Sequence, residues 1–215
     1  MPNSIPGLIH NRAKASIVYL CSVLSVLAGL VPCLPDAQAQ NSEPSYRNRT
    51  VSQWIEALQK ADASGRAQAA YCLGQIEPKA EAAVPLLQTV AEKDPDNFVR
   101  AEAVYALGNI GPAARSALPI LLVLLRKDPH SGVRGAVATA LGTMGCDPGQ
   151  SVPILIAALK ADKSPYVRGC AALALGRLGT DARAALPSLR DSAANDSSPV
   201  VRRRADEAIQ RIEAG

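Results

Sequence analysis

The apolar residues of this chain recur with two periods, one short and one long. Within single segments they recur every three or four residues, as in Leu118, Leu121, Leu122 and Leu125, and this spacing predicts an amphipathic α-helix. On the longer scale a Leu-Gly pair returns every 34 residues, which predicts a solenoid in which each unit stacks on the last. The pairs are Leu73-Gly74, Leu107-Gly108, Leu141-Gly142 and Leu175-Gly176.

Each 34-residue unit is predicted to hold two antiparallel helices, which we call helix A and helix B. Helix B opens on a Val-Arg pair and contains the Leu-Gly pair, whereas helix A carries a proline near its start. Proline is tolerated in the first turn of a helix but kinks the interior, so these prolines either begin helix A or bend it. The sequence leaves both possibilities open for Pro85, Pro119, Pro153 and Pro187.

The turn from helix A to helix B is marked by a column of capping residues. Asp96, Ser164 and Ser198 suit an N-cap, and His130 occupies the same column in the third unit. Helix B is expected to end in a left-handed cap at a column of glycines. That column is Gly111, Gly145 and Gly179.

Aspartate and arginine form two further columns, near the end of helix A and near the start of helix B. Each charge lies at the unfavourable end of its helix dipole, so the repeated cost suggests a compensating contact. We predict an Asp–Arg ladder that fixes each turn and links neighbouring units, because an arginine fork can bind several acceptors. The alternative is a solvated charged edge that contributes little to stability. The ladder residues are Asp94, Asp128, Asp162 and Asp196 with Arg100, Arg134, Arg168 and Arg202.

These features resemble the HEAT-repeat family, in particular the short HEAT-like repeats of the phycobilin-lyase type. Val-Arg opening helix B, Ala-x-x-Ala-Leu-Gly-x-Ile-Gly along it and Pro-x-Leu in helix A carry the resemblance from Val51 to Ile212. Tetratricopeptide repeats share the period but use larger residues and aromatics at set positions. The resemblance implies an all-α fold, a right-handed α-solenoid of five HEAT-like helix pairs. The expected repeat domain is 50–215, with units at about 50–77, 78–111, 112–145, 146–179 and 180–215.

The resemblance implies function only in broad terms. Members of such families mostly act as scaffolds or binding surfaces, and a few are lyases or nucleic-acid enzymes. No catalytic residue of those enzymes can be placed on this sequence. One hypothesis is therefore a scaffold that recruits a protein partner, and the other is a lyase-like or small-molecule-handling HEAT-repeat protein. An open groove would favour the scaffold, and a closed pocket with several polar groups would favour the alternative.

Candidate caps stand at both ends of the repeat domain. Thr50 and Gln53 form a capping box in front of Trp54, which is expected to cover the open apolar end of the stack. In the last unit, Asp206 and Gln210 replace small residues of the earlier units. We therefore expect the stack to finish within this chain.

Residues 1–39 have the pattern of a secretory signal peptide. Arg12 and Lys14 precede an apolar run, and small residues around Gln38 provide a cleavage site. We expect cleavage after Ala39, a secreted or periplasmic location, and a flexible polar linker over 40–49. The alternative is an uncleaved membrane anchor, because the apolar run reaches the lower limit of about 17 residues for crossing a bilayer.

Helical geometry fixes which side chains of helix B point away from the core. In HEAT-like stacks helix B lines the concave surface, and exposed tyrosine and arginine are favoured at protein interfaces. We therefore predict a partner-binding groove along this stripe, against the alternative of an ordinary solvated surface. The candidate residues are Gln68, Tyr71, Gln75, Glu102, Tyr105, Asn109, Thr139, Thr143, Leu173 and Arg177.

Composition and charge narrow the function classes. The net charge of +4 is modest for 215 residues, which argues against nucleic-acid binding. After cleavage one histidine, His130, and three cysteines remain, so we predict no metal, no cofactor and no enzymatic activity. Cys72 is expected to be a small buried residue, and Cys170 an exposed thiol in the first turn of a helix. We expect the protein to be a monomer.

Overall fold

The computed structural model describes residues 43–215 and confirms the all-α solenoid, with five antiparallel helix pairs. The predicted signal segment and the predicted cleavage site after Ala39 lie outside the described residues. Within these residues the helices are α1 (Val51–Lys60), α2 (Ala63–Ile76), α3 (Val84–Lys93), α4 (Asn97–Ile110), α5 (Leu118–Lys127), α6 (Ser131–Leu141), α7 (Pro148–Ala161), α8 (Pro165–Leu178), α9 (Leu186–Asn195) and α10 (Pro199–Ala214). Odd numbers are A helices and even numbers are B helices. Short 3-10 segments lie at Glu77–Ala83, Gly111–Ala117 and Gly179–Ala185.

The core of the stack is built from alanine and leucine. Successive B helices pack closely through the glycine of the Leu-Gly pair, since a Cβ on Gly108 would lie only 3.0 Å from the Cα of Ala140. Gly142 meets Ala174 in the same way. Successive A helices touch at far fewer positions. The stack therefore curves towards the B helices, which line its inner side.

A small antiparallel hairpin closes the N-terminal end of the stack. Ser45–Tyr46 (β1) pairs with Arg49–Thr50 (β2) over Trp54, whose side chain is only 3% exposed. The Trp54 Nε1 donates to the Tyr46 carbonyl oxygen at 3.0 Å, and the Arg49 guanidinium lies 4.8 Å from the ring centre. These contacts hold residues 45–50 in place, whereas we expected a flexible linker over 40–49, of which 40–42 lie outside the described residues.

The predicted Asp–Arg ladder is present and joins each repeat to the next. Each arginine donates from Nε and Nη2 to both carboxylate oxygens of the aspartate 28 residues further on, at 2.7–3.2 Å. Its Nη1 donates to a backbone carbonyl of its own A-to-B turn. The pairs are Arg66–Asp94, Arg100–Asp128, Arg134–Asp162 and Arg168–Asp196.

The prediction for the ladder identified most of these residues but not their pairing. Each of Arg100, Arg134, Arg168 and Arg202 donates to the backbone carbonyl of the aspartate six residues before it. The carboxylate of that aspartate accepts from the arginine of the previous repeat instead. Arg66 also belongs to the ladder, although it was not among the predicted members. Arg202 donates to the Asp196 carbonyl at 2.7 Å and has no carboxylate partner within residues 43–215.

The prolines of helix A mostly begin their helices. Pro85, Pro119 and Pro187 lie in the first turn, each preceded by a 3-10 segment. Pro153 instead lies inside α7. This helix starts earlier because the side chain of Asp147 caps it, accepting the backbone N–H of Gly149 at 3.0 Å.

The A-to-B turns differ in whether a side chain caps the following B helix. Asp96 caps α4 as predicted, because its carboxylate accepts the backbone N–H groups of Phe98 and Val99. Ser164, Ser198 and His130 make no side-chain cap, contrary to the prediction. In all four of these turns the ladder aspartate two residues earlier accepts the backbone N–H of the N-cap residue, at 2.8–3.0 Å.

The glycine column after helix B adopts positive φ but not the left-handed helical cap that we expected, because Gly111 and Gly179 have ψ of −135° and −132°. In the third repeat the helix ends earlier, at Leu141, and a turn separates it from Gly145. Gly111, Gly145 and Gly179 have φ of 72°, 66° and 56°. In the first repeat this position is Glu77, which has a φ of 56° although it carries a side chain. That conformation costs free energy for any residue other than glycine.

Two further segments bear on the sequence predictions. Asp206 and Gln210 of the last repeat are exposed, whereas the equivalent Val104 and Gly108 are buried.

The stretch Asn97–Lys127 is long and apolar enough to cross a membrane by composition and length. It is not one straight helix, however, because the chain turns at Gly111 between α4 and α5. Half of its most apolar window is buried inside the stack.

Candidate functional site

The B helices present one stripe of side chains on the inner side of the stack, which we call the B-helix face. The structure brings the ten predicted partner-binding residues onto this face, but it does not leave them equally accessible. Gln68, Tyr71, Gln75, Asn109, Thr143 and Arg177 are exposed, and Glu102, Tyr105, Thr139 and Leu173 are partly buried.

Tyr105 and Tyr166 form a bridge across the third repeat. Their hydroxyl oxygens lie 3.3 Å apart, although Tyr105 belongs to α4 and Tyr166 to α8. The Tyr166 ring passes over Gly135 of α6, where a Cβ would come within 2.8 Å of the ring carbon Cδ1. The hydrogen bond with Tyr105, and secondarily burial, raises the pKa of Tyr166 well above its ordinary value. Tyr105 is therefore held by Tyr166 and does not stand free on the face.

The threonine hydroxyl groups of the B-helix face donate hydrogen bonds to backbone carbonyls of α6 and its C-terminal turn. Thr139 Oγ1 donates to the Gly135 carbonyl at 3.0 Å, and Thr143 Oγ1 donates to the Ala140 carbonyl at 3.2 Å. Their hydroxyl oxygens remain possible acceptors. The third repeat therefore offers a partner little beyond shape and weak acceptors.

Cys170 is buried, which corrects the prediction of an exposed thiol. It is 6% exposed and lies in the second turn of α8, not the first. Tyr166 stands one turn earlier on the same helix face, and the Arg204 side chain lies against Gly169. Cys72 is buried as predicted, and burial raises the pKa of its thiol.

An open groove lies at the N-terminal end of the B-helix face, between α2 and α4. Its volume is about 660 Å³. Tyr71 and Phe98 project into it with 43% and 61% of their surfaces exposed, and Ala67 forms part of its floor. Gln68 and Glu102 add polar groups to its walls. We call this feature the Tyr71–Phe98 groove.

The Glu102 carboxyl group is the partly buried acidic group that lines the Tyr71–Phe98 groove. Burial raises its pKa above the ordinary value, and no neighbouring cation offsets this effect. Among residues 43–215 it forms no salt bridge. The other carboxylate of the groove, Asp96, is used as the cap of α4.

Phe98 is the site residue that the sequence analysis missed. It lies in the first turn of helix B, in the same column as Tyr166 and Val200, and all three are large and exposed. The sequence contains a signal for it, because Phe98 precedes Glu102 by four residues and so shares its helix face.

The groove has the chemistry of a binding surface. Aromatic rings, an amide and a carboxylate can bind by stacking, hydrogen bonding and charge, but no nucleophile–base pair lies among its lining residues. In the part of the chain that the structure describes, no group of three His, Cys, Asp or Glu could hold a metal ion.

Comparison with known proteins places this fold in a family. The sequence profile of HEAT repeats matches residues 51–142 and 118–210. The complex of CpcE and CpcF of phycocyanin lyase from Nostoc sp. PCC7120 is similar, with a TM-score of 0.60 and 23% identity, over 74% of this chain and 96% of that one. Human deoxyhypusine hydroxylase has a TM-score of 0.49 and 23% identity, over 78% and 75% of the two chains. No curated protein matches the sequence. On the profile match, which spans most of its length, the chain belongs to the HEAT-repeat family.

Proposed function

We propose that this HEAT-repeat protein is an exported scaffold that binds a protein partner through the B-helix face, at the Tyr71–Phe98 groove. The observation that carries the proposal is the exposure of two aromatic rings, Tyr71 and Phe98, which line the same groove on the inner surface of the stack. Aromatic side chains are favoured at interface centres because they bury a large area with few rotatable bonds.

The shape of the groove supports a protein partner over a small molecule. Small-molecule sites enclose most of the ligand surface, whereas Phe98 leaves more than half of its own surface in solvent at 61% exposure. A solenoid also presents an extended concave surface that suits a segment of another chain. The similar phycocyanin lyase structure is itself a complex of two proteins, CpcE and CpcF. The lyase-like or small-molecule-handling alternative would need a more enclosed site.

The experiment compares Phe98→Ser and Tyr71→Ser with Val123→Ser. Val123 is a matched control, because it is a large apolar residue that is 46% exposed on the A helix α5, away from the B-helix face. Each full-length variant is used as bait on the extracellular and envelope fractions of the producing organism, and bound proteins are quantified by mass spectrometry.

We expect a protein that the wild type and Val123→Ser retain and that both groove variants lose. Equal retention by all four proteins would contradict the proposal. Copurification of a small molecule that depends on Tyr71 and Phe98, with no protein captured, would favour the alternative function.

Export is a separate part of the proposal and rests on residues 1–39. We propose cleavage after Ala39 and a secreted or periplasmic location, with an N-terminal membrane anchor as the alternative. N-terminal sequencing of the protein from cell-free and membrane fractions tests this. A mature chain that starts at Gln40 supports cleavage, and a membrane-bound chain that keeps Arg12 supports the anchor. We also propose a monomer, which sedimentation equilibrium tests.

A further inference from the structure

We propose that the Tyr71–Phe98 groove receives a basic side chain of the partner, an arginine or a lysine, against the Glu102 carboxylate and the two aromatic rings. This inference rests on the proposed function and names the chemistry of the partner segment. It predicts that the contacting residue of the partner is cationic.

Charge complementarity is the first argument. The residues that line the groove include two acidic side chains, Asp96 and Glu102, and no lysine or arginine. This local charge opposes that of the whole chain, whose formal net charge is +4. An anionic side chain of the partner would be repelled by these carboxylates, whereas a cation is attracted to them.

The state of Glu102 is the second argument. Asp96 already serves as a helix cap and lies near Arg66, so its charge is largely used. Glu102 is partly buried, and in the described part of the chain no salt bridge or hydrogen bond compensates its carboxylate. A partly buried carboxylate without a partner is costly, and a cation brought by a ligand would remove that cost.

The aromatic rings are the third argument. A guanidinium or ammonium group over a ring face is attracted by the ring quadrupole, and arginine also stacks on aromatic planes. Tyr71 and Phe98 present exposed ring surface on either side of the groove that Glu102 lines. The apolar stem of an arginine or lysine can lie along Ala67 on the floor.

An apolar side chain is the competing occupant. It would cover the rings equally well, but it would remove the remaining water from Glu102 and leave the carboxylate unpaired. A basic side chain can both stack on the aromatic rings and form an ion pair with the carboxylate. The groove therefore favours a cationic anchor over an aliphatic one.

The test selects peptides and then changes one charge on each side of the contact. A displayed library of random 12-residue peptides is panned on the full-length chain, and clones whose binding is lost with Phe98→Ser but kept with Val123→Ser are retained. The basic residue of each retained peptide is replaced by a neutral isostere, citrulline for arginine or norleucine for lysine. Affinities for the wild type and for Glu102→Gln are measured by calorimetry.

We expect the retained peptides to share an arginine or lysine. Its neutral replacement should weaken binding to the wild type at least about tenfold and should weaken binding to Glu102→Gln clearly less, since only the aromatic rings still attract the cation there. Retained peptides that lack a basic residue, or that lose the same affinity with both proteins, would overturn this inference and leave the proposed function standing. A library that yields no groove-dependent peptide would overturn both.

Discussion

Arg100 of the second repeat donates two hydrogen bonds to Asp128 of the third repeat, at 3.0 and 3.2 Å, and a third to the Asp94 carbonyl of its own repeat at 2.9 Å. One guanidinium therefore ties the turn of one helix pair to the turn of the next. Both side chains are almost fully buried, which separates this pair from an ordinary surface ion pair.

Breaking this pair should destabilise the stack strongly. Asp128→Ala leaves the Arg100 guanidinium buried without its carboxylate, so we expect a loss of about 3 kcal/mol in the free energy of unfolding. Arg202→Gln is the matched control, because Arg202 occupies the same column without a carboxylate partner among residues 43–215, and it should cost less than about 1 kcal/mol. Urea denaturation followed by circular dichroism measures both. Similar losses for the two variants would show that the carboxylate contact is not what stabilises the turn.

The ladder shows what a repeat pattern can and cannot predict. The 34-residue period placed Arg100 and Asp128 in equivalent columns, and the dipole argument required that such charges be compensated. The sequence does not say which aspartate each arginine meets, because that depends on the offset between successive units. The offset is set by close contacts such as Gly108 against Ala140, which exist only in the folded stack.

The candidate site was predictable only in part, for a related reason. Tyr71, Gln68 and Glu102 were predicted to lie on the B-helix face from helical periodicity alone. The bridge from Tyr105 to Tyr166 was not, because the two residues are 61 positions apart and meet only where Gly135 leaves room for a ring. A one-dimensional pattern predicts which face a residue occupies, but not which neighbour covers it.

Glu77 is a place where the sequence is not optimal for its backbone. Its φ of 56° matches that of the glycines at the equivalent positions of later repeats, and a side chain there costs free energy. We expect Glu77→Gly to stabilise the protein by about 1 kcal/mol and to raise Tm by about 2–4 °C. Gly111→Ala provides the reverse change at an equivalent position and should lower Tm. Calorimetry compares the two, and a lower Tm for Glu77→Gly would refute the strain argument.

Acid should unfold the stack through its ladder carboxylates. The hydrogen bonds from Arg168 hold the pKa of Asp196 below the ordinary value of 3.8. The folded state therefore binds this proton less readily than the unfolded state does, so the stabilisation is present above pH 3.8 and is lost as the pH falls through the folded-state pKa. Asp162 behaves in the same way: burial alone would raise its pKa, but the hydrogen bonds from Arg134 and from the Ser164 backbone N–H, together with the charges of Arg134 and Arg168, lower it.

The measurement is the free energy of unfolding of the wild type and of Asp196→Asn between pH 7 and pH 2.5. We expect the wild type to be more stable at neutral pH and the difference to shrink once the pH falls below about 3.8. A difference that stays constant across this range would mean that Asp196 contributes through packing and not through its charge.

Glu102 should show the opposite dependence on pH. Burial raises its pKa above 4.5, so the folded state favours the protonated form, and its contribution is lost as the pH rises through the folded-state pKa. At pH 7 the wild type therefore keeps an uncompensated charge that Glu102→Gln removes. We expect this variant to raise Tm at pH 7 by up to about 2 °C, with the gain vanishing near pH 4. Glu92→Gln, at an exposed position of α3, is the control and should leave Tm unchanged at both pH values.

The outcome for Glu102→Gln decides whether this carboxylate acts in recognition. If the substitution stabilises the fold and weakens peptide binding, Glu102 acts in recognition, since binding sites retain groups that the fold alone disfavours. If Glu102→Gln instead lowered Tm at pH 7, the carboxylate would have a partner within the protein, and the groove would have no unmet charge to offer a ligand.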